Sequence, residues 1–399
     1  MGSELLPIGR RVAYWRGRRK MSQQVFADRL GKSKSWVDKI ERGARSLDKV
    51  STIQDISNVL RIDRAVLLGR DAQLSAVHER AEGVDRVRAA LSRYEMALDR
   101  QVPRREVPPV VQVARNVEHA WITYQHARYP QLIDGLPELL IGAQRRYAHE
   151  PQPGRAPLVE AYRIAASLLV KLGAAELAWL AADRAMTVAT GDPVLVAAAA
   201  VQLGQVLRAT GRTRSAAPTM RAAAYRIAPP DLDGGHASRL SLCGTLLVQA
   251  ALAAARHGDD HATADLLDEA ADLAAQVGDG HDHHRTGFGP TSVAAARVVA
   301  ALELGDAGEA VAWHEKTVGR EGWRWLPPEH RGAHLVDAAR AYLQAGDPAN
   351  AGRVLLDADR TAPAEVRHRP AAREVLAEVT RHPDAPATIV QLAAALGVF

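Results

Sequence analysis

Four side chains between residues 34 and 39 are suited to contacting a polyanion. Lys34, Ser35, Trp36 and Lys39 supply two ammonium groups, a hydroxyl and an indole, with no acid among them. Ammonium and hydroxyl groups donate to phosphate oxygens, and lysine also donates to O6 and N7 of guanine. We predict that these residues lie near the start or along one side of a short helix that contacts nucleic acid.

The surrounding stretch, residues 22–43, predicts two short helices joined by a tight turn. Ser22 and Ser33 are of the type that caps a helix by accepting a bond from its free N–H groups. Gly31 permits the positive φ that ends the first helix. Two short helices joined by such a turn are the helix-turn-helix pattern, whose second helix lies in the DNA major groove. An ordinary basic helical hairpin on the surface has the same local pattern.

Positive charge is concentrated around this stretch. Residues 1–70 contain 16 Lys or Arg and 7 Asp or Glu, an excess of nine positive charges, whereas the whole chain has a net charge of +5. The rest of the chain therefore has a net charge of −4. This distribution predicts a head that binds double-stranded DNA and a body that does not.

The flanking segments complete a recognisable order of helices. An amphipathic helix is predicted at Ile8–Lys20, and two more at Val50–Leu60 and Asp63–Gly69. Five helices with the pair in the middle resemble the phage-repressor (XRE, or Cro/cI-like) DNA-binding domain over Leu5 to Gly69.

The resemblance implies roles for individual residues. Arg16 and Glu41 occupy the places of an Arg–Glu pair in that family, and Gln23 occupies the place of a phosphate-contacting Gln. Trp36 departs from the family, in which this place is usually small. The residues predicted to contact DNA are Gln23, Ser33, Lys34, Ser35, Trp36 and Lys39.

Length and composition limit the class of protein. At 399 residues the chain is long enough for two or three domains, and its single Cys243 excludes an internal disulfide and a Cys-based zinc site. We find no uninterrupted apolar run of ~18 residues and no signal peptide, so we expect a cytoplasmic protein without membrane contact. No catalytic motif is present, and HDHH at 281–284 is a weak metal signal. We expect no enzyme activity, no cofactor and no bound metal.

The remaining chain predicts an all-α fold in three parts. We assign residues 1–70 to the DNA-binding domain, 71–109 to a helical connector and 110–399 to a helical-repeat domain. The connector contains a predicted helix, Val84–Arg100, which suits either a dimerisation strut or the first helix of the body.

A repeat is indicated by glycines that end helices at intervals of about 40 residues. Small residues recur at fixed offsets from them, which lets paired helices approach closely. The pattern resembles the tetratricopeptide repeat (TPR), and so predicts a TPR-like α-solenoid; a non-repetitive helical domain in an Ala-rich chain is the alternative. The glycines are Gly173, Gly211, Gly258, Gly305 and Gly346.

The combination resembles peptide-sensing repeat regulators, and the loop before Pro290 resembles one in repressor-plus-repeat regulators of streptomycete-like bacteria. This implies a homodimer whose body binds a peptide or small-molecule effector. Separately, the free N–H groups of a helix that starts at Pro290, together with Arg285, predict a site for a carboxylate or phosphate. A long inter-repeat loop capped by Pro290 is the alternative. The residues predicted to contact the effector are Arg163, Gln205, Arg208, Thr245, Arg285, Ser292 and Arg340. A body that docks a partner protein without a ligand is the alternative. The operator, the sign of regulation, the effector and the dimer interface are not given by the sequence.

Overall fold

The computed structural model describes residues 7–47, 49–62, 64–93, 107–228, 236–383 and 385–398. Within these residues the fold is all-α, as predicted, and contains no strand. The chain divides into two compact units, Met1–Ala81 with Leu376–Phe399, and Glu82–Val375. The predicted boundaries at residues 70 and 109 stay predictions, and residues 94–106 of the predicted connector lie outside the described part.

The head, residues 7–68, consists of four short helices and the start of a fifth. They are α1 (Ile8–Arg18), α2 (Gln23–Leu30), α3 (Lys34–Glu41), α4 (Val50–Leu60) and α5 (Arg64–Leu91). Their apolar faces meet in one core that includes Phe26, Ile40, Ile56 and Leu60. The order and positions of the five predicted helices are confirmed, except at the fifth.

The fifth helix is longer than predicted. Two separate helices were expected at Asp63–Gly69 and Val84–Arg100, but α5 is continuous from Arg64 to Leu91. The prediction was wrong because a single glycine in a helix costs only ~1 kcal/mol, and Gly69 did not end this one. Residues 94–100 of the second prediction lie outside the described residues.

The body, Glu82–Val375, is built from helices that run almost without interruption. They are α6 (Val110–Gln125), α7 (Tyr129–His149), α8 (Pro151–Lys171), α9 (Ala175–Ala189), α10 (Pro193–Ala209), α11 (Thr213–Ile227), α12 (Ala237–Ala255), α13 (Asp260–Val277), α14 (Pro290–Leu304), α15 (Ala307–Val318), α16 (Pro328–Gln344), α17 (Pro348–Thr361) and α18 (Pro363–His368). Then α19 (Pro370–Arg381) crosses the boundary between the units, and α20 (Ala387–Leu396) belongs to the first unit.

Five successive helix pairs, from α8 with α9 to α16 with α17, confirm the predicted repeat of glycine turns. All five turn glycines have φ between 74° and 88°, a region that favours glycine. The small residues on the following helices are buried, for example Ala178, Ala216 and Ala310 at 0% exposure. The body is therefore a helical-repeat array whose pairs pack through small side chains.

Residues far apart in sequence meet in the body through a buried ionic cluster. The Lys171 ammonium lies 2.5 Å from Glu329 Oε1 and 2.9 Å from Glu365 Oε1. Tyr124 and Tyr129, at the start of the body, donate hydroxyl bonds to Glu329 and Glu365, respectively. The array therefore closes, because its first helices contact its last ones.

The charges in this cluster stabilise one another. Burial on its own raises the pKa of the Glu329 carboxyl. Lys171 and His330 lower this pKa by more than burial raises it, so it falls to about 2. Burial lowers the pKa of the Lys171 ammonium, but the two glutamates raise it above its ordinary value. Both groups are thus charged near neutral pH.

One helix of the described residues, α12, is long and apolar enough to cross a membrane. Its 19 residues have a mean hydropathy of 1.3, and 72% of that stretch is buried against the rest of the protein. Sequence analysis overlooked this helix. Its neighbours in the fold are α11 and α13, so it packs as a core helix of the array.

Candidate nucleic-acid interface and effector site

Local capping fixes the turn between α2 and α3. Ser22 Oγ accepts a bond from Val25 N at 3.2 Å, and Ser33 Oγ accepts one from Trp36 N at 3.1 Å. Gly31 ends α2 with φ 62°. The predicted caps and turn are therefore confirmed, and they set the start of α3.

Glu41 ties α3 to the two preceding helices. Its carboxylate accepts two bonds from Arg16, at 2.6 Å and 3.0 Å, and one from Gln23 Nε2 at 2.8 Å. Arg16 also donates to the Met21 carbonyl at 2.7 Å. The Arg16–Glu41 pair implied by the resemblance is confirmed. A bidentate, largely buried pair of this kind fixes the relative orientation of its two side chains. The Gln23 side chain thus helps to hold α3 in place. Its predicted contact with a phosphate stays a prediction, and that contact would use the same side chain.

Gly9 is a residue whose role sequence analysis missed. A Cβ at this position of α1 would lie 2.0 Å from the carbonyl oxygen of Ile40 in α3. Only glycine permits this close approach of backbones. Its position, one residue after an isoleucine at the start of a helix, gave no local signal of the contact.

The outer side of α3 is exposed and cationic. Ser33, Lys34, Ser35 and Lys39 are exposed, and neither lysine has an ion-pair partner among the described residues. Asp38, one of the two acids on this helix, pairs with Arg42.

Trp36 is half-buried against the core of the head. The Lys32 ammonium lies 6.0 Å from the centroid of its ring. Part of the indole thus remains accessible, next to a cation that can approach a phosphate.

Comparison with known proteins supports this reading of the head. Residues 7–68 match the family described as "Helix-turn-helix domain". The head is a helix-turn-helix domain. No curated protein matches the chain. One similar solved structure is "Crystal structure of BtubC (BKLC) from P. vanneervenii", at 19% identity, covering 65% of this chain and 92% of that one, with a TM-score of 0.38. That score is too low to bear on fold or function.

In the body, Arg163 is not the exposed groove residue that was predicted. Its side chain is fully buried, and its guanidinium donates to Gln202 Oε1 at 2.8 Å, Glu160 Oε1 at 2.6 Å and the His284 carbonyl at 2.8 Å. It also lies 5.4 Å from the Trp121 ring centroid. The prediction failed because Gln202, Glu160 and the His284 carbonyl of the 281–289 loop already occupy its donors.

The predicted anion site at the start of α14 is also filled by the protein itself. The Asp279 carboxylate accepts bonds from Thr291 N at 2.9 Å and Thr291 Oγ1 at 2.7 Å. Ser292 Oγ caps the helix by bonding to Gly289. Arg285 pairs with Glu118 and, at 3.3 Å, with Asp282. The prediction that an external anion binds these donors was wrong. The carboxylate of Asp279, 11 residues before Pro290, accepts their hydrogen bonds instead.

Thr245 and Gln205, two other residues predicted to contact the effector, show no contact that indicates a ligand. Thr245 Oγ1 donates to the Ser241 carbonyl of its own helix at 2.7 Å, and Gln205 is half-buried. Their assignment to an effector stays a prediction.

Arg208 and Arg340 lie in a cluster of arginines and acids. Glu303 lies 3.5 Å from Arg340 and 3.9 Å from Arg256. Arg256 donates to the Arg208 carbonyl at 3.2 Å, and Arg208 donates to Gln249 at 3.0 Å. Glu303 is therefore shared by Arg340 and Arg256, and both Glu303 and Asp337 act electrostatically on Arg208.

Burial dominates the electrostatics of Arg208 and lowers its pKa to about 10. Glu303 and Asp337 oppose this shift, and Arg256 and Arg369 reinforce it. Its Nε is buried without a hydrogen-bond acceptor. A carboxylate or phosphate near this guanidinium would relieve both conditions.

Histidines in the body form one buried pair that sequence analysis missed. His314 Nδ1 and His334 Nε2 are 2.9 Å apart, and Trp323 packs edge-on against His334. Burial lowers the pKa of both rings, that of His334 to about 3. In the predicted HDHH loop, His281 and His283 stack 5.6 Å apart. Within the described residues, no group of three or more potential ligands is arranged for a metal ion.

Proposed function

We propose that this protein is a sequence-specific transcriptional regulator of the XRE type, whose TPR-like body dimerises and senses an effector. The observation that carries the proposal is the exposed side of α3, where Lys34, Ser35 and Lys39 project from a helix-turn-helix domain. In this proposal the protein works in the cytoplasm on double-stranded DNA, is not an enzyme and has no membrane contact.

Base reading by α3 requires a rigid frame and free donors together. Glu41 and Gly9 fix α3 against α1, while the lysines keep their ammonium groups available. A lysine donates to guanine O6 and N7 in the major groove, and Lys32 beside Trp36 suits the adjacent phosphate. The frame positions the helix, and the lysines provide specificity.

The experiment is to select operator DNA from genomic fragments and to measure its affinity for wild-type and variant protein. We expect Lys34→Ala to lose ~1–3 kcal/mol on the selected site and much less on random DNA. Arg10 is an exposed arginine on α1, and Arg10→Ala is the control for the loss of one positive charge. Equal losses by Lys34→Ala on both DNAs would reduce Lys34 to a phosphate contact. If the protein enriches no DNA sequence, the proposed function as a sequence-specific regulator is wrong.

We place the effector site at Arg208, Arg256 and Arg340, and no longer at Arg163. This cluster combines three arginines with a buried donor, Arg208 Nε, that has no acceptor, and such a donor suits an anionic effector. A peptide carboxylate or a phosphate has the appropriate charge and geometry.

Native mass spectrometry of the purified protein tests the effector. We expect a retained small anion or peptide in the wild type and its loss in Arg208→Ala/Arg340→Ala. Arg353→Ala/Arg360→Ala, two exposed arginines on α17, is the charge-matched control. A co-purifying protein in place of a small ligand would favour the docking alternative.

A further inference from the structure

Two neighbouring helices of the body carry opposite charges on their exposed sides. In α11, residues 213–227 contain Arg214, Arg221 and Arg226 and no acid. Arg214 and Arg221 are seven residues apart, which is two helical turns, so they lie on the same side of the helix. Both are exposed, and neither forms an ion pair with a described residue.

The next outer helix in the chain, α13, is acidic. Residues 260–277 contain five carboxylates and no Lys or Arg. Asp265 and Asp272 are also seven residues apart and exposed. Asp268 pairs with Arg297 of α14, and Asp265 lies 3.7 Å from the exposed His261, so most of the negative charge on α13 lacks an arginine partner.

An exposed aromatic side chain lies where the two helices meet. Tyr225 of α11 is 50% exposed, and its hydroxyl donates to Glu269 of α13 at 3.0 Å. This bond shows that the basic and acidic helices are neighbours. A large aromatic residue flanked by arginines is typical of the centre of a protein interface.

We propose that the surface formed by α11 and α13, the charge-paired surface, is the interface with a second copy of this chain. In an interface with two-fold symmetry both protomers use the same patch, and a rotation of 180° relates the two copies. The basic α11 of one protomer then lies on the acidic α13 of its partner, and the converse contact forms at the same time. A partner protein of one sign would be attracted to one helix and repelled by the other, whereas a second copy satisfies both.

This inference rests on the dimer in the proposed function, and it specifies where that dimer forms. In the symmetric contact the two copies of Tyr225 approach the axis, which places an aromatic pair at the centre of a charged rim. The charged rim gives register and orientation, and screening by salt weakens it.

The test uses full-length protein and a swap of charges, followed by sedimentation velocity. The basic helix is reversed in Arg214→Glu/Arg221→Glu and the acidic helix in Asp265→Arg/Asp272→Arg. Each variant alone places like charges opposite each other, so we expect its dimer dissociation constant to rise about 100-fold. An equimolar mixture of the two variants restores opposite charges on both sides, so we expect a heterodimer of near wild-type affinity.

Arg353→Glu/Arg360→Glu on α17 is the matched control, because it changes the net charge as much as the reversal on α11 does. We expect it to dimerise like the wild type. Circular dichroism of each variant checks that the helices remain folded, and recovery in the mixture requires folded subunits.

The outcomes separate this inference from the proposed function. If the wild type dimerises and both reversed variants still do so as tightly, the interface is elsewhere and the charge-paired surface is overturned while the dimer stands. If the variants dissociate but their mixture does not recover, the two helices do not face each other, which also overturns the inference. A wild type that is monomeric at all concentrations, with or without operator DNA, would remove the dimer from the proposed function and this surface with it.

Discussion

The lysines predicted to contact DNA and two of the arginines predicted to contact an effector have opposite environments. On α3, Lys34, Ser35 and Lys39 are exposed, with both ammonium groups free of ion pairs among the described residues. In the body, Arg163 and Arg285 are engaged by protein acceptors, and Arg163 is fully buried. A donor predicted from helix periodicity is thus available in one case and saturated in the other.

Helix periodicity therefore predicts the helix face on which a residue lies but not what covers that face. The head is small, and the outer side of a short helix in it is exposed. In a repeat array the inner face of one helix can receive a loop from far along the chain, as Arg163 receives the His284 carbonyl. The four predictions below, from the largest to the smallest expected effect, test whether this contrast is energetic as well as geometric.

Removing the Arg163 guanidinium should destabilise the body even when no effector is present. Arg163→Met removes the guanidinium that donates to Gln202, Glu160 and the His284 carbonyl, and among the described residues only Glu160 keeps another side-chain donor, Trp121 Nε1. Removing one partner of a buried ion pair costs ~3–5 kcal/mol. Glu160 is partly exposed, so the lower end of that range applies. Urea denaturation of the full chain measures the change, with the exposed Arg353→Met as control. A loss no greater than that of the control would return Arg163 to the candidates for effector binding.

Substitution of Gly9 should destabilise the head, whereas the same substitution at Gly17 should not. A Cβ at position 9 meets the Ile40 carbonyl at 2.0 Å, but one at position 17 meets nothing within 4 Å. Because backbone atoms cannot move aside easily, we expect Gly9→Ala to cost about 3 kcal/mol. Gly17→Ala should stabilise α1 by ~0.5–1 kcal/mol, since alanine favours a helix interior. Thermal unfolding of the two variants measures both signs, and equal melting temperatures would show that α1 and α3 are not in this contact.

These two glycines also show how much of the fold the sequence could predict. Local chemistry was sufficient for the Ser22 and Ser33 caps, the Gly31 turn and the five turn glycines of the body, because each depends on residues within one or two turns. The contact of Gly9 with Ile40 joins two helices that only the folded chain brings together. The same holds for Lys171 with Glu365, nearly 200 residues apart.

The candidate sites divide in the same way. The exposed start of α3 follows from charge and helix spacing, so the sequence was enough to predict it. The Asp279 carboxylate at the start of α14 was not predictable from spacing, since a loop with no regular pattern folds it back. Arg208 and Arg340 were predicted on helix faces, but the single Glu303 they share with Arg256 depends on how the pairs stack.

Acid should destabilise the body through the buried His314–His334 pair. The folded pKa of His334, about 3, lies below its unfolded value of ~6.5, so between these values the unfolded state binds a proton that the folded state does not. Stability is therefore complete above pH ~6.5 and falls as the pH is lowered, by about 2 kcal/mol at pH 5. His334→Phe should flatten this dependence, whereas His261→Phe, at an exposed site, should keep it. An unchanged slope in His334→Phe would place the acid sensitivity elsewhere.

The smallest expected effect on stability belongs to the residues with the largest expected effect on DNA. Lys34 and Lys39 are exposed and make no ion pair with a described residue, so their removal takes nothing from the fold. We expect Lys34→Ala and Lys39→Ala each to change the unfolding free energy by less than ~0.5 kcal/mol, because surface substitutions away from caps and networks usually do so. Alanine even favours the helix slightly. Urea denaturation without DNA, set beside the affinity for the selected operator, measures the two effects on the same protein. A loss of stability as large as that of Arg163→Met would mean that these lysines hold the head together, and the contrast between the two sets of donors would disappear.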